Sequence, residues 1–325
     1  MQLEIKIMLQ QHNQQQLLLL YFSGFSEKLW IVDDLSLKHQ CFKVNLFSLS
    51  YILPERFRFA NLGVCMSKAK VGVSMLYCLG EPFNRMVKRL GKMGTKYIEI
   101  LDDGTHDLNK ERIAQLKQAA KFYGLEYSLH APFADINIAS PIKPLLNASL
   151  KRLARSLANA NEIDAKMWVF HPGQRTGIGQ FYPGADFEQM CKSIKLLYAK
   201  AEEYGINIAL ENLPAKYWFL LNTPEEFRKM YKETKLPLGI AMDLGHANLE
   251  GQIQPFFNQL ADKIVHIHAS NNDGSDDQHY GVEDGDIDYV WLADTLKKIG
   301  YDKTVIVESM YKVPESIDKL KQLLV

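Results

Sequence analysis

The chain has 325 residues, a formal net charge of +0, 47% hydrophobic and 23% charged residues. Those proportions exclude a disordered or collagenous chain and fit one barrel-sized domain or two ordinary ones. The zero balance gives no sign of a general nucleic-acid or membrane-surface binder, because the chain has no net basic charge to draw it to an anionic partner.

Residues 1–65 differ in pattern from the rest of the chain. Gln10 to Gln16 is a polar, low-complexity run, and Leu17 to Phe25 is apolar but too short to span a bilayer. No basic cluster precedes that run and no small-residue cleavage site comes after it, so no secretory signal is expected. Cys41, Cys65, Cys78 and Cys191 show no CxxC spacing. They read as reduced thiols of a cytoplasmic protein. The expected organisation is an N-terminal extension over 1–65, poorly ordered or a mis-assigned start, and then a compact domain over 66–325.

From Lys70 onward β-rich runs alternate with helical periods. The runs are Lys70–Met75, Tyr97–Leu101, Glu126–Ala131, Met167–His171, Asn207–Asn212, Gly239–Asp243, Ile264–Ser270 and Thr304–Ser309. Between them lie Pro82–Gly94, Asn109–Tyr123, Pro144–Glu162, Asp186–Tyr204, Pro224–Thr234, Gln252–Asp262 and Tyr289–Ile299, and Pro314–Leu324 closes the chain. Gly124 and Gly205 stand where left-handed C-caps are needed. Strand then helix, eight times, predicts an α/β fold, a (β/α)8 TIM barrel. An open doubly wound sheet is the alternative, but no GxGxxG comes after the first strand.

In such a barrel the chemistry sits at the C-terminal strand ends. Six successive runs end there in a donor: His130, His171, Glu211, Asp243, His268 and Glu308. His246 lies three residues beyond Asp243, and Asp277 and His279 lie in the loop after His268. A single strand-end histidine is more often a hydrogen-bonded core residue, and a single acid often caps the next helix. His266 is expected to pack inside the barrel, Asp102 and Asp103 to cap, and His106 to sit on a solvated loop. Six converging donors are another matter. Carboxylates gathered without a partner repel, and a divalent cation removes that cost.

The motifs HAPFADINIASP (130–141), FHPG (170–173), LEN (210–212), MDLGHAN (242–248), HIHASNNDGSDDQH (266–279) and VES (307–309) resemble the xylose-isomerase-like TIM-barrel superfamily. It holds sugar and sugar-phosphate isomerases and epimerases together with apurinic-site endonucleases of the endonuclease IV type. The epimerase branch implies one Mn, Mg or Co ion on Glu211, Asp243, His268 and Glu308, with Glu211 and Glu308 moving protons. The endonuclease branch implies three Zn ions, adding His130, His171, His246, Asp277 and His279. Asp243-Leu-Gly-His246, Glu211-Asn-Leu-Pro214 and Gln174 after HPG depart from the endonuclease wording, and no Arg-rich loop for gripping a duplex is visible.

The expected function is therefore a metal-dependent isomerase or epimerase of a sugar or sugar phosphate. His130, His171 and Arg175 would hold substrate, Arg175 because a guanidinium suits bidentate anion contacts. Zinc-dependent cleavage of abasic DNA is the alternative, and a barrel that binds a sugar-like ligand without turnover is a third reading. Partners are a small molecule, DNA only under the alternative, and no membrane; a homo-oligomer is compatible with the sequence.

Overall fold

A computed structural model describes residues 5–12, 15–22, 29–32 and 69–325. The chain divides into two compact units, Met1–Val64 and Cys65–Val325. In the first, β1 (Ile5–His12), β2 (Gln15–Phe22) and β3 (Leu29–Val32) form an antiparallel sheet in the order β1-β2-β3. The boundary expected at Met66 lies outside the described residues.

The second unit is a closed parallel barrel of β4 (Lys70–Ser74), β5 (Tyr97–Leu101), β6 (Glu126–His130), β7 (Trp168–Phe170), β8 (Ile208–Glu211), β9 (Gly239–Asp243), β10 (Ile264–Ala269) and β11 (Thr304–Val307). β11 pairs with β4 to close the ring. Alternation along each strand divides the core in two. Outward residues such as Ile98, Trp168, Leu210, Ile240, Ile267 and Val305 join the large cluster under the helices. Inward Val169, Ala209 and Ala241 make a small plug inside the barrel. The small inward residues lie below and the donors above.

Helices form where the sequence places caps. Asn109 accepts the Arg112 amide ahead of Lys110–Tyr123, which ends on left-handed Gly124. Thr223 caps Pro224–Thr234, with proline at the first helical position. A shift in the β9–β10 register between Ile264 and His266 brings His268 opposite Asp243. Such an irregularity re-aims side chains, here toward the mouth. Among the described residues, no helix is long and apolar enough to cross a membrane. Cys78 and Cys191 are free and buried.

Candidate metal centre

Glu211, the last residue of β8, is the hub. It is 1% exposed, and its two oxygens divide the surrounding imidazoles between them. Oε2 lies 3.2 Å from Nε2 of His130 and 3.1 Å from Nε2 of His171. Oε1 lies 3.1 Å from Nδ1 of His268 and 3.5 Å from Nδ1 of His246. Nδ1 of His268 is also 3.3 Å from Glu308 and 3.8 Å from Asp243. One donor atom from each of Glu211, Asp243, His268 and Glu308 falls within 4.8 Å of the others. His130, His171 and Glu211 form a second such group, and His246, Asp277 and His279 a third.

The backbone around these donors fixes their orientation. Asn212 straps β8 to β9: its amide donates to the Asp243 carbonyl at 3.0 Å, and its Oδ1 accepts the Asp243 amide at 2.7 Å. Asp243 caps the short helix Leu244–Leu249 by accepting the His246 amide at 2.7 Å on Oδ1, which leaves Oδ2 for the cluster. Asn271 organises the loop after β10, holding the Val282 carbonyl and the Ile287 amide. That loop delivers Asp277 and His279, and His279 sits at a left-handed φ of 49°. A non-glycine residue there is strained, and such strain concentrates at functional sites. After β7, Gly173 turns at φ 90°, where a Cβ would meet Asn137 Oδ1 at 2.6 Å and Ala139 N at 2.9 Å. Glycine is required for the chain to leave His171 at the rim.

Three histidines share one arrangement. Nδ1 of His130 donates to the Ala131 carbonyl at 2.7 Å, Nδ1 of His246 to the Asn212 carbonyl at 2.9 Å, and Nδ1 of His279 to the Glu308 carbonyl at 2.9 Å. A carbonyl can only accept, so each Nδ1 bears hydrogen and each Nε2 is turned to a carboxylate. A metal-ligating histidine needs its tautomer fixed in this way. Asp243 Oδ2 and Asp277 Oδ1 are buried without a hydrogen-bond partner among the described residues. Buried acceptors are seldom left so, and a cation satisfies them. The donor set fits a divalent ion.

The charges respond to this crowding. Burial would raise the Glu211 pKa, but His268, His171 and His130 hold it well below the carboxylate range. Glu308 is pushed up to about 7 by burial and by the charges of Glu211 and Asp243, which outweigh His268 and His279. Burial also raises Asp243. Burial pulls the histidines down, yet carboxylates win at His130, raised to about 9, His279, about 9, and His246, about 10. At His171 burial wins and the pKa falls.

The nine expected donors are thus brought together. Arg175 is not among them: it is half-exposed and pairs with Glu226 at 2.7 Å. Phe133 lies against His130 and His171, at 5.6 and 5.7 Å between ring centroids, as an aromatic wall beside both imidazoles. Asp103 caps Gly104 and also accepts the amides of Phe133 and Ala134, so it positions that wall. Asp102 takes the Leu108 amide at 2.7 Å and pairs with Arg152. His106 corrects the expectation of a solvated position. It is fully buried, with Nε2 2.9 Å from the Glu81 carbonyl and its ring edge-on to Phe83. One residue escaped the sequence reading altogether. Glu99 stands in mid-β5, fully buried beside His266 and His268. A charge between Ile98 and Ile100 on the inward parity of a short apolar strand was the available signal.

The family model described as xylose isomerase-like TIM barrel matches residues 87–323. An uncharacterized protein of Methanocaldococcus jannaschii is 32% identical over 244 residues, covering 74% of this chain and 83% of that protein. The crystal structure of a D-tagatose 3-epimerase-like protein superposes with a TM-score of 0.74 at 31% identity, over 78% of this chain and 97% of that one. A D-psicose 3-epimerase of Ruminiclostridium cellulolyticum is 22% identical over 237 residues, 70% of this chain and 78% of that protein.

Proposed function

The chain belongs to the xylose isomerase-like TIM-barrel family, and from the donors at its mouth we propose that it is a divalent-metal-dependent isomerase or epimerase of a sugar or sugar phosphate. The observation that carries the reading is the meeting of Glu211, Asp243, His268 and Glu308, whose donor atoms lie within 4.8 Å of one another. Similarity to a D-tagatose 3-epimerase-like protein and to a D-psicose 3-epimerase supports the substrate class.

A bound Mn, Mg, Co or Zn ion supplies Lewis acidity, polarising a sugar carbonyl and the neighbouring hydroxyl so that the C–H beside them becomes acidic. The chain supplies the rest. Glu308, whose carboxylate joins the ion site from the end of β11, is one of the two groups placed to exchange a proton with carbon. Glu211, held ionised, is the second carboxylate of the pair. One of the two takes the proton, and the same or the other returns it. Phe133 and Phe219 flank His171 and give the sugar ring an apolar wall.

Ketoses and aldoses in deuterated water test this. Exchange of the substrate C–H for deuterium by the metal-loaded protein is expected, lost by at least about a hundredfold in Glu211→Gln and Glu308→Gln, the scale of a removed general base. Unchanged exchange in both variants would remove the glutamates from the chemistry.

A second reading draws on the His246–Asp277–His279 group, whose Asp277 Oδ2 lies 3.3 and 3.1 Å from the two imidazoles. A multinuclear zinc centre there would suit phosphodiester cleavage at abasic DNA. Metal content separates the two. About one exchangeable ion per chain favours sugar chemistry, and about three tightly held zinc ions with incision of an abasic-site oligonucleotide favour the nuclease.

A further inference from the structure

Beneath the rim, Glu99 is fully buried at the centre of β5, sealed from water with His266 and His268. A lone ionised carboxylate in such a place is costly unless it is paired and hydrogen-bonded. Its Oε2 accepts the Ser128 hydroxyl at 3.0 Å and lies 2.9 Å from Nε2 of His266. His266 is itself held from behind, since the Thr304 hydroxyl lies 2.7 Å from its Nδ1. With hydrogen on Nε2 facing Glu99 and the lone pair on Nδ1 facing Thr304, every partner in this pair is complementary. The remaining oxygen, Oε1, lies 2.9 Å from Nε2 of His268, an ion-pair contact off the line of a hydrogen bond, and neither atom has a hydrogen-bond partner among the described residues. The opposite nitrogen of the same ring, Nδ1, is the one turned up to Glu211, Glu308 and Asp243.

We propose that Glu99 is the positioning residue of the metal centre: held by His266 and Ser128, it keeps hydrogen on Nε2 of His268 and so commits Nδ1 of that ring to the ion. His268 then differs from His130, His246 and His279, whose Nδ1 atoms are spent on backbone carbonyls. At His268 the Glu99 carboxylate stands where those rings have a backbone carbonyl.

The inference rests on the metal-centre reading, and its test separates the two. Manganese affinity is measured by competition with a chromophoric chelator for the wild type, Glu99→Gln, Glu99→Asp and Ser128→Ala, after chelator treatment and with folding checked by circular dichroism. Loss of such an outer partner weakens metal binding by about 10–100-fold. That loss is expected in Glu99→Gln, with partial rescue in Glu99→Asp and a smaller loss in Ser128→Ala. In the zinc-loaded wild type, 15N-histidine spectra should show one ring ligated through Nδ1, and Glu99→Gln should lose that signature. A folded Glu99→Gln that binds manganese as tightly as wild type overturns the proposal. Should that variant not fold, full wild-type affinity in Ser128→Ala overturns it instead. A wild type that takes up no divalent ion removes this proposal and the metal-centre reading together.

Discussion

Glu211 cannot be understood apart from the proton count around it. In the ion-free protein the raised values at His130, His246 and His279, about 9, 10 and 9, mean that protons neutralise the carboxylates at neutral pH. Burial acts against those protons and the acids act for them. A cation competes for the same lone pairs, so it must expel protons to bind. Each group is protonated below its pKa, so ion affinity rises as pH climbs toward 9 and falls as pH drops. The slope approaches about tenfold per pH unit for each proton released. Calorimetry of manganese binding at pH 7 in two buffers of different ionisation enthalpy reads the number released. One or more protons per ion is expected, and a heat independent of buffer would contradict the electrostatic account. At this scale the sequence was informative about what reaches the rim and gave only part of what lies under it. The HIH spacing revealed two inward imidazoles, but their common partner, Glu99, is 167 residues from His266 and sits on a strand across the barrel. Pairing over that distance leaves no mark in local pattern.

The eight barrel strands were legible because β-rich runs of five to seven residues separated by capped helices admit few alternatives. The structure trims six of the eight by one or two residues, as where Met167–His171 becomes Trp168–Phe170. The helix Leu244–Leu249 was not legible. Six residues give no period, and Gly245 inside it lowers the propensity. Its only sign is Asp243 acting as N-cap, a residue already assigned to the metal. Asp243 holds both roles with different oxygens: Oδ1 accepts the His246 amide while Oδ2 faces the cluster. The two roles are separable by substitution. Asp243→Asn keeps a cap of about equal quality but presents a neutral, weaker ligand. Its melting temperature should stay within a few degrees of wild type while manganese affinity falls at least about tenfold, as for loss of a charged ligand. Asp243→Ala should lose both, with about 1 kcal/mol of added destabilisation from the missing cap. If the asparagine variant binds metal normally, Asp243 is a cap and nothing more.

Across the whole molecule, closure decides what can stand alone. Every barrel strand has both neighbours within Lys70–Val307, and β11 meets β4 through four residue pairs, Thr304 with Lys70 to Val307 with Val73. A closed barrel has no edge strand to protect. All nine donors and Glu99 fall within residues 99–308, on the barrel strands or on the segments that directly follow them. The large core cluster begins at Ala69 and ends at Leu324. Among the described residues, the barrel's strand pairing, its core and the candidate centre are all drawn from residues 69–325. We expect a chain beginning at Met66 to fold, to melt within about 4 °C of the full chain, the shift that roughly 1 kcal/mol produces at this size, and to bind manganese with unchanged affinity. Thermal melts monitored by circular dichroism, alongside the chelator competition, provide the measurement. An insoluble or non-cooperatively melting product would show that the N-terminal segment contributes to the barrel's stability in a way the strand pairing does not reveal. A cooperative fold with weakened metal binding would instead place part of that segment's role at the mouth.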